Sequence, residues 1–125
     1  MKVLVDSHIA VWWLDDPSRL SQRAREVIAD PANEVFLSAA TVWELGLKIA
    51  KGKLLMPVDF TDVLREDGFS DLPITVDHAN ASIHLPRHHG DPFDRLLIAQ
   101  AIVDDLVLIT RDAAMFEYEL ALLKG

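Results

Sequence analysis

The sequence of 125 residues contains no cysteine and no long apolar run. The absence of cysteine excludes disulfides, thiolate zinc sites and cysteine nucleophiles, and it fits a cytoplasmic protein. No apolar run approaches the roughly 20 residues that a transmembrane helix requires, so we expect no membrane association. Asp6 and His8 interrupt the apolar residues after Lys2, and no small-residue cleavage site follows, so the N-terminal pattern does not match a secretory signal peptide.

Positive charge is also scarce, because 12 Lys and Arg residues stand against 20 Asp and Glu residues, giving a formal net charge of −8. This balance disfavours a simple phosphate-binding surface and counts against a sequence-reading nucleic-acid module. It is compatible with an enzyme that holds cations in an acidic pocket, because the bound cations cancel part of the charge where a phosphate lies. An acidic surface also suits a basic protein partner.

The apolar residues occur in short runs that turn residues separate, which predicts one compact domain over residues 1–125. Apolar runs predict strands, and stretches with helical spacing lie between them. The predicted strands are 2–5, 35–37, an edge strand at 72–75, 106–109 and a last strand near 120–123. The predicted helices are about 20–28, 38–51, 60–66, 79–85 and 92–105. This alternation predicts an α/β fold, with a mainly parallel central sheet and helices on both faces.

The stretch from His89 to Arg95 contains two carboxylates three residues apart with a proline between them. Asp91 is predicted to be a helix N-cap, followed by Pro92 at the first helical position. Asp94 then lies at the third helical position, near the positive end of the helix dipole. By itself this pattern also matches a capping arrangement that serves stability alone, so both interpretations of the two acids remain open.

Four carboxylates lie at or near the ends of predicted strands. Asp6 directly follows the first strand, and Glu44 lies about two turns into the helix after the second. Asp94 opens the helix that leads to the strand at 106–109, and Asp112 lies three residues beyond that strand. In parallel sheets, ligands bind beyond the carboxyl ends of the strands where the strand order reverses. Each acid alone can be a turn or cap residue, but together they predict a shared pocket. Clustered carboxylates need a balancing cation, and all-oxygen ligands suit Mg²⁺ or Mn²⁺.

The sequence around these acids resembles a known family over essentially the whole chain. The segments Asp6-Ser7, Trp43-Glu44-Leu45, Asp94–Ala101 and Leu108–Asp112 are similar, in order, to the successive motifs of PIN-domain nucleases. The segment 89–95 resembles that of a subgroup of VapC-type toxins from bacterial toxin–antitoxin systems. The resemblance implies an α/β/α sandwich, a metal-dependent endoribonuclease, a homodimer and inhibition by a VapB-type antitoxin.

The resemblance also implies the catalytic metal ligands, which are Asp6, Glu44, Asp94 and Asp112. Ser7 matches a small hydroxyl position beside the first acid, whereas His8 stands where asparagine is frequent in the family. A metal held by carboxylates can activate a water for attack on phosphorus, so no side chain need act as the nucleophile.

Two arginines lie next to presumed ligands, Arg95 directly after Asp94 and Arg111 directly before Asp112. With Ser7, these arginines are predicted to bind the substrate, because a guanidinium can hold a phosphate through two hydrogen bonds. Solvated side chains, or pairing with neighbouring acids, are the alternative for both arginines.

Other sites and functions remain as weaker alternatives. His84, His88 and His89 suggest zinc, but Pro86 prevents His84 and His88 from sharing a helix face, so we interpret the three as surface loop residues. A phosphatase of the haloacid dehalogenase type requires an acid where His8 stands, and a receiver domain requires a lysine where Arg111 is nearest. The main alternative is a non-catalytic acidic protein-interaction module, whose carboxylates only cap helices. The sequence leaves open whether Asp91 contributes to the metal site.

Overall fold

The computed structural model describes residues 1–125 and contains five strands, six α-helices and two short 3₁₀ helices. The strands are β1 (Lys2–Val5), β2 (Glu34–Ser38), β3 (Ser70–Leu72), β4 (Val107–Thr110) and β5 (Leu122–Lys124). The α-helices are α1 (Ser7–Asp15), α2 (Gln22–Ala29), α3 (Ala39–Ala50), α4 (Phe60–Glu66), α5 (Val76–His84) and α6 (Pro92–Val103). The 3₁₀ helices are Pro17–Arg19 and Ala113–Glu117. None of the helices combines the length and apolar character that crossing a membrane would require.

The five strands form one sheet in the order β3-β2-β1-β4-β5, and every neighbouring pair is parallel. The chain first builds the sheet outward from β1 through β2 to β3, and then crosses to the other side of β1 for β4 and β5. The strand order therefore reverses between β1 and β4. In an open parallel sheet, the crevice at the carboxyl ends of two such strands is where ligands bind.

Helices cover both faces of the sheet, as the alternation of side chains along β1 indicates. Val3 and Val5 lie in one apolar cluster with residues of α1, α2 and α4, whereas Leu4 lies in a second cluster with residues of α6. All three side chains are fully buried. A parallel sheet buried on both faces is the expected result of strand–helix–strand crossovers, and the predicted α/β fold is confirmed.

Several predicted boundaries differ from the observed ones. The third strand ends at Leu72, so Pro73 lies outside it, although β3 is the edge strand that the proline indicated. Helix α5 begins at Val76 rather than Ala79, because Thr75 caps it and His78 accepts a hydrogen bond from the Thr75 N–H. Neither 3₁₀ helix was expected from the apolar spacing.

Candidate metal and active site

Asp6 links the carboxyl ends of β1 and β4, the two strands at which the order reverses. It caps α1, where Oδ1 accepts a hydrogen bond of 2.9 Å from the Ile9 N–H. Its Oδ2 accepts a hydrogen bond from the hydroxyl of Thr110, the last residue of β4. The side chain is buried, and this burial raises the pKa of Asp6 although the two hydrogen bonds oppose the shift. The fold therefore holds Asp6 at a buried position that disfavours the ionised form of its carboxyl group.

Glu44 brings a second buried carboxylate to the region from α3. Ser38 caps this helix through the Ala40 N–H, as predicted, so Glu44 lies inside the helix. Glu44 Oε2 accepts a hydrogen bond of 2.9 Å from Lys48 Nζ, whereas Glu44 Oε1 is buried and has no hydrogen-bond partner. A buried oxygen without a partner is costly unless another group satisfies it. A cation ligated by this oxygen would remove that cost, so the donor set fits a metal.

Asp91 and Asp94 take different positions at the start of α6. Asp91 is the N-cap, and its Oδ1 accepts hydrogen bonds from the Phe93 and Asp94 N–H groups at 2.9 and 3.1 Å. Asp94 lies in the first turn, with a side chain that is 17 % exposed. Burial, followed by repulsion from Asp91 and then from Glu44 and Asp6, raises the pKa of Asp94 to about 7, against an attraction to His89. Asp94 therefore lies within electrostatic range of two of the other three predicted ligands.

Asp112 follows β4 and caps the 3₁₀ helix Ala113–Glu117 through the Ala114 N–H. Its other oxygen, Oδ2, lies 2.7 Å from His89 Nε2, and the same nitrogen lies 3.0 Å from Asp94 Oδ2. One ligand atom from each of His89, Asp94 and Asp112 therefore lies within 4.8 Å of the others.

The interpretation of His89 as a surface loop residue is wrong, because its ring is 15 % exposed and contacts two predicted ligands. It remains supported for His88, which is an exposed loop residue, whereas His84 is exposed but is the last residue of α5.

The four predicted ligands are not equally close. Asp94 and Asp112 meet through His89, whereas Asp6 and Glu44 have no oxygen in that compact group. Charge effects nevertheless connect all four, since Asp6 and Glu44 raise the pKa of Asp94 and Asp112 raises that of Asp6. The structure thus contains an acidic cluster at the crevice between β1 and β4.

The predicted substrate-binding residues lie around this cluster in different ways. The Arg95 guanidinium donates to the carbonyl groups of Ser82, Leu85 and Pro86 at 2.7 to 3.0 Å, so it is directed at the end of α5 and the loop after it. Its predicted contact with substrate stays a prediction, and any phosphate must compete with these carbonyl groups.

Arg111 and Ser7 line cavities beside the acids. The Arg111 guanidinium donates to the Gly125 and Arg19 carbonyl groups, and it lines a cavity of about 320 Å³ with Asp6 and Asp112. Ser7 is buried and lines a second cavity, of about 260 Å³, together with Lys48 and Lys53. Their roles in substrate binding also stay predictions.

Comparison with known proteins gives relatives in sequence and in fold. The PIN domain family model matches residues 3–119. The chain is 33% identical over 113 residues to Ribonuclease VapC22 of Mycobacterium tuberculosis (strain ATCC 25618 / H37Rv), a match that covers 88% of this chain and 86% of the relative. Similar folds occur in VapBC2 from Rickettsia felis bound to a promoter DNA fragment, with a TM-score of 0.76 at 15% identity and 98% coverage of both chains. A toxin–antitoxin complex from Klebsiella pneumoniae gives a TM-score of 0.66 at 20% identity, covering 98% of this chain and 96% of that chain.

The two structural neighbours support the fold alone, because their sequence identity is low. The family model and the sequence relative extend over most of the chain, including the segments that carry the four acids. The chain therefore belongs to the PIN-domain family and is of the VapC type.

Proposed function

We propose that this protein is a divalent-metal-dependent endoribonuclease and the toxin component of a VapBC-type toxin–antitoxin system. The observation that carries the proposal is the acidic cluster at the reversal of strand order, in a chain 33% identical to a ribonuclease. Neither half of this observation is sufficient alone, because acidic clusters also occur on protein-interaction surfaces.

Asp6, Glu44, Asp94 and Asp112 are the proposed ligands of Mg²⁺ or Mn²⁺. Three observations support this set, namely the buried and unpaired Glu44 Oε1, the raised pKa values of Asp6 and Asp94, and the contact of Asp112 with the same histidine as Asp94. The first two indicate negative charge that the protein itself does not fully balance, and the third places Asp112 beside Asp94. Carboxylate oxygens are the ligands that both ions accept.

Hydrolysis of a phosphodiester requires a positioned water and stabilisation of charge on the phosphate. A bound divalent cation would supply both, by lowering the pKa of a water molecule and by neutralising the phosphate. The protein's part is to hold its carboxylates in place. Thr110 and the Ile9 N–H fix Asp6, Lys48 fixes one oxygen of Glu44, and the first turn of α6 places Asp94. Ser7 and Arg111, which line the adjoining cavities, are the proposed contacts to RNA.

A VapB-type antitoxin and a second copy of the chain are the proposed protein partners. The similar folds from Rickettsia felis and Klebsiella pneumoniae, described as VapBC2 and as a toxin–antitoxin complex, support an antitoxin partner. The net charge of −8 suits a partner with a basic surface. Trp43, which is 59% exposed and packs edge-on against Phe93, provides apolar surface for such contacts beside α6. A cytoplasmic location is part of the proposal, because the proposed substrate is cellular RNA.

Incubation of the purified protein with total RNA tests the proposal directly. Cleavage is expected with Mg²⁺ or Mn²⁺ and is expected to stop when the ions are chelated. An Asp6→Asn variant, purified identically, controls for contaminating nucleases, since its cleavage should be lost. Equal cleavage by the variant, or cleavage that no metal affects, would contradict the proposal and favour the non-catalytic interaction module.

A further inference from the structure

The loop between α5 and α6 holds His89 through contacts on its backbone as well as its ring. The His89 N–H donates to Tyr118 Oη at 2.9 Å, and the Tyr118 hydroxyl in turn donates to the Pro86 carbonyl at 2.8 Å. Arg95 donates to the carbonyl groups of Leu85 and Pro86, the first residues of the loop. Tyr118 is buried, so these bonds form in a protected environment. These hydrogen bonds therefore hold the backbone of His89, and with it the position of its side chain.

The hydrogen bond from the Asp91 N–H determines which nitrogen of the His89 ring carries the proton. It donates to His89 Nδ1 at 3.0 Å, and a backbone N–H can only donate, so Nδ1 must be the acceptor nitrogen. The ring proton is consequently on Nε2. That nitrogen lies between Asp112 Oδ2 and Asp94 Oδ2, at 2.7 and 3.0 Å. The hydrogen bond from Nε2 is accepted by Asp112, and Asp94 Oδ2 is a close contact of the same nitrogen.

This proton position excludes a simple ligand role for His89. A histidine binds a metal through an unprotonated ring nitrogen, yet Nδ1 is used by Asp91 and Nε2 carries the proton. The arrangement instead matches groups that orient the ligands of a metal site through hydrogen bonds. His89 connects a ligand at the start of α6 with one that follows β4, 18 positions later in the chain.

We propose that His89 is a positioning residue that donates from Nε2 to Asp112, lies 3.0 Å from Asp94 through the same nitrogen, and so aligns these two carboxylates for the cation. The proposal rests on the proposed function, since it assumes that both carboxylates are metal ligands. Asp91 contributes to the site without binding the metal. Its N–H determines that His89 is protonated on Nε2, while its side chain caps α6.

Titration of Mn²⁺, followed by electron paramagnetic resonance of the free ion, tests the effect on affinity. The His89→Leu variant replaces the ring with an apolar side chain and removes the donor, and it should bind Mn²⁺ about 10–100-fold more weakly. The His89→Gln variant retains an N–H donor and should recover part of that loss. The matched control is His84→Gln on α5, where the exposed ring forms a hydrogen bond with the Asn80 carbonyl, and its affinity should equal that of the wild type.

Nitrogen-15 spectra of the histidine rings test the proton position in the unmodified protein, whatever the folding of the variants. His89 should show protonated Nε2 and unprotonated Nδ1, both without metal and with Mg²⁺. A protonated Nδ1, or an Nε2 that loses its proton when Mg²⁺ binds, would overturn the proposal in favour of another role, including ligation.

Equal Mn²⁺ affinity in wild type and His89→Leu, or a glutamine variant no better than leucine, would also overturn the proposal. A wild-type protein that binds no Mn²⁺ and cleaves no RNA would instead refute the proposed function, and the role of His89 with it. A protein that binds and cleaves normally without the His89 donor would refute only the role of His89.

Discussion

Asp94→Asn is the substitution for which the structure makes the sharpest quantitative prediction. Asparagine keeps the shape of the side chain, but it removes a charge. That charge lies near Asp91, Glu44 and Asp6, and it is largely shielded from water, so the pKa of Asp94 rises to about 7. The native state therefore holds a carboxylate under conditions that disfavour its ionised form.

The sign of the effect follows from where the proton is bound. Below about pH 4, Asp94 is protonated in both the native and the unfolded state. Between the ordinary value of 3.8 and about 7, the native state keeps the proton and the unfolded state does not, so the free energy of unfolding falls as the pH rises. Above about pH 7 the loss is complete. Asp94→Asn should therefore gain stability relative to the wild type from pH 4 to pH 7, and the difference should then stay constant.

The magnitude has an upper bound that solvent and the helix reduce. A pKa change from 3.8 to about 7 corresponds to at most about 4 kcal/mol, since each pKa unit is worth about 1.4 kcal/mol. Screening by water at this partly exposed group reduces the value to roughly 2 kcal/mol. Loss of the charge from the first turn of α6 costs about 0.3–1 kcal/mol. We expect a net stabilisation of about 1–2 kcal/mol in metal-free buffer at pH 8, or about 4–8 °C in melting temperature.

Divalent ions should make the wild type more stable than Asp94→Asn. A ligand at 100 times its dissociation constant stabilises the native state by about 2.7 kcal/mol, and the variant that lacks one carboxylate should gain less. Thermal melts of both proteins at pH 5 and pH 8, each with and without Mg²⁺, measure the two effects in one experiment. The variant should melt higher without metal at pH 8, and the wild type should melt higher with saturating Mg²⁺.

Asp91→Asn is the matched control for this experiment. Asparagine caps a helix nearly as well as aspartate, so Asp91→Asn should keep the capping energy and substantial cleavage. Because it removes a charge that repels Asp94, it should show a smaller part of the same pH-dependent stabilisation. Asp91→Ala should cost about 0.5–2 kcal/mol, because the Phe93 and Asp94 N–H groups lose their acceptor. If Asp91→Asn abolishes cleavage and Asp94→Asn retains it, the ligand and the cap are assigned the wrong way round. A pH-independent difference between wild type and Asp94→Asn would refute the electrostatic reasoning itself.

Three further predictions concern the site and the assembly. Mg²⁺ should raise the wild-type melting temperature more than NaCl of equal ionic strength, and equal shifts would argue against a specific site. Tyr118→Phe should lose about 0.5–1.5 kcal/mol in chemical denaturation and weaken Mn²⁺ binding, because the His89 N–H loses its acceptor; unchanged binding would show that the loop holds His89 without it. Light scattering of the isolated chain should report a dimer, and a monomer at all concentrations would remove that part of the proposal.

The sequence was sufficient to predict the fold class, since local patterns determine it. Apolar runs such as Leu106–Ile109 end at polar residues, and strand–helix alternation with short connections restricts the sheet to parallel pairing. The segment Phe60–Glu66 was predicted with its observed bounds. The start of α5 was missed because Thr75 uses the ring of His78 as the second half of its capping box, and this replaces the Glu or Gln by which such a motif is usually recognised.

The sequence predicted where the acids lie to the extent that each follows or precedes a strand, and their role as metal ligands stays a prediction. Asp6 and Asp112 lie near the ends of β1 and β4, so the parallel sheet brings them to one edge whatever the loops do. His89 and Arg95 were interpreted incompletely for the opposite reason. The position of His89 depends on Tyr118, 29 residues away, and the direction of Arg95 depends on carbonyl groups at the end of α5. No spacing in the sequence records these long-range loop contacts.

The charge balance of the cluster connects these observations. Of the lysines and arginines, Lys48 is the one that forms an ion pair with a proposed ligand, and it engages one oxygen of Glu44. Arg95 and Arg111, which stand beside the acids in the sequence, donate instead to backbone carbonyl groups. The cluster therefore retains negative charge that a cation from outside the chain can balance, whether a metal ion or a basic residue of a partner. If both bind at this crevice, they should compete, and saturating Mg²⁺ should then weaken the binding of a basic antitoxin segment. Binding of that segment that is equally tight with and without Mg²⁺ would show that the two occupy separate surfaces.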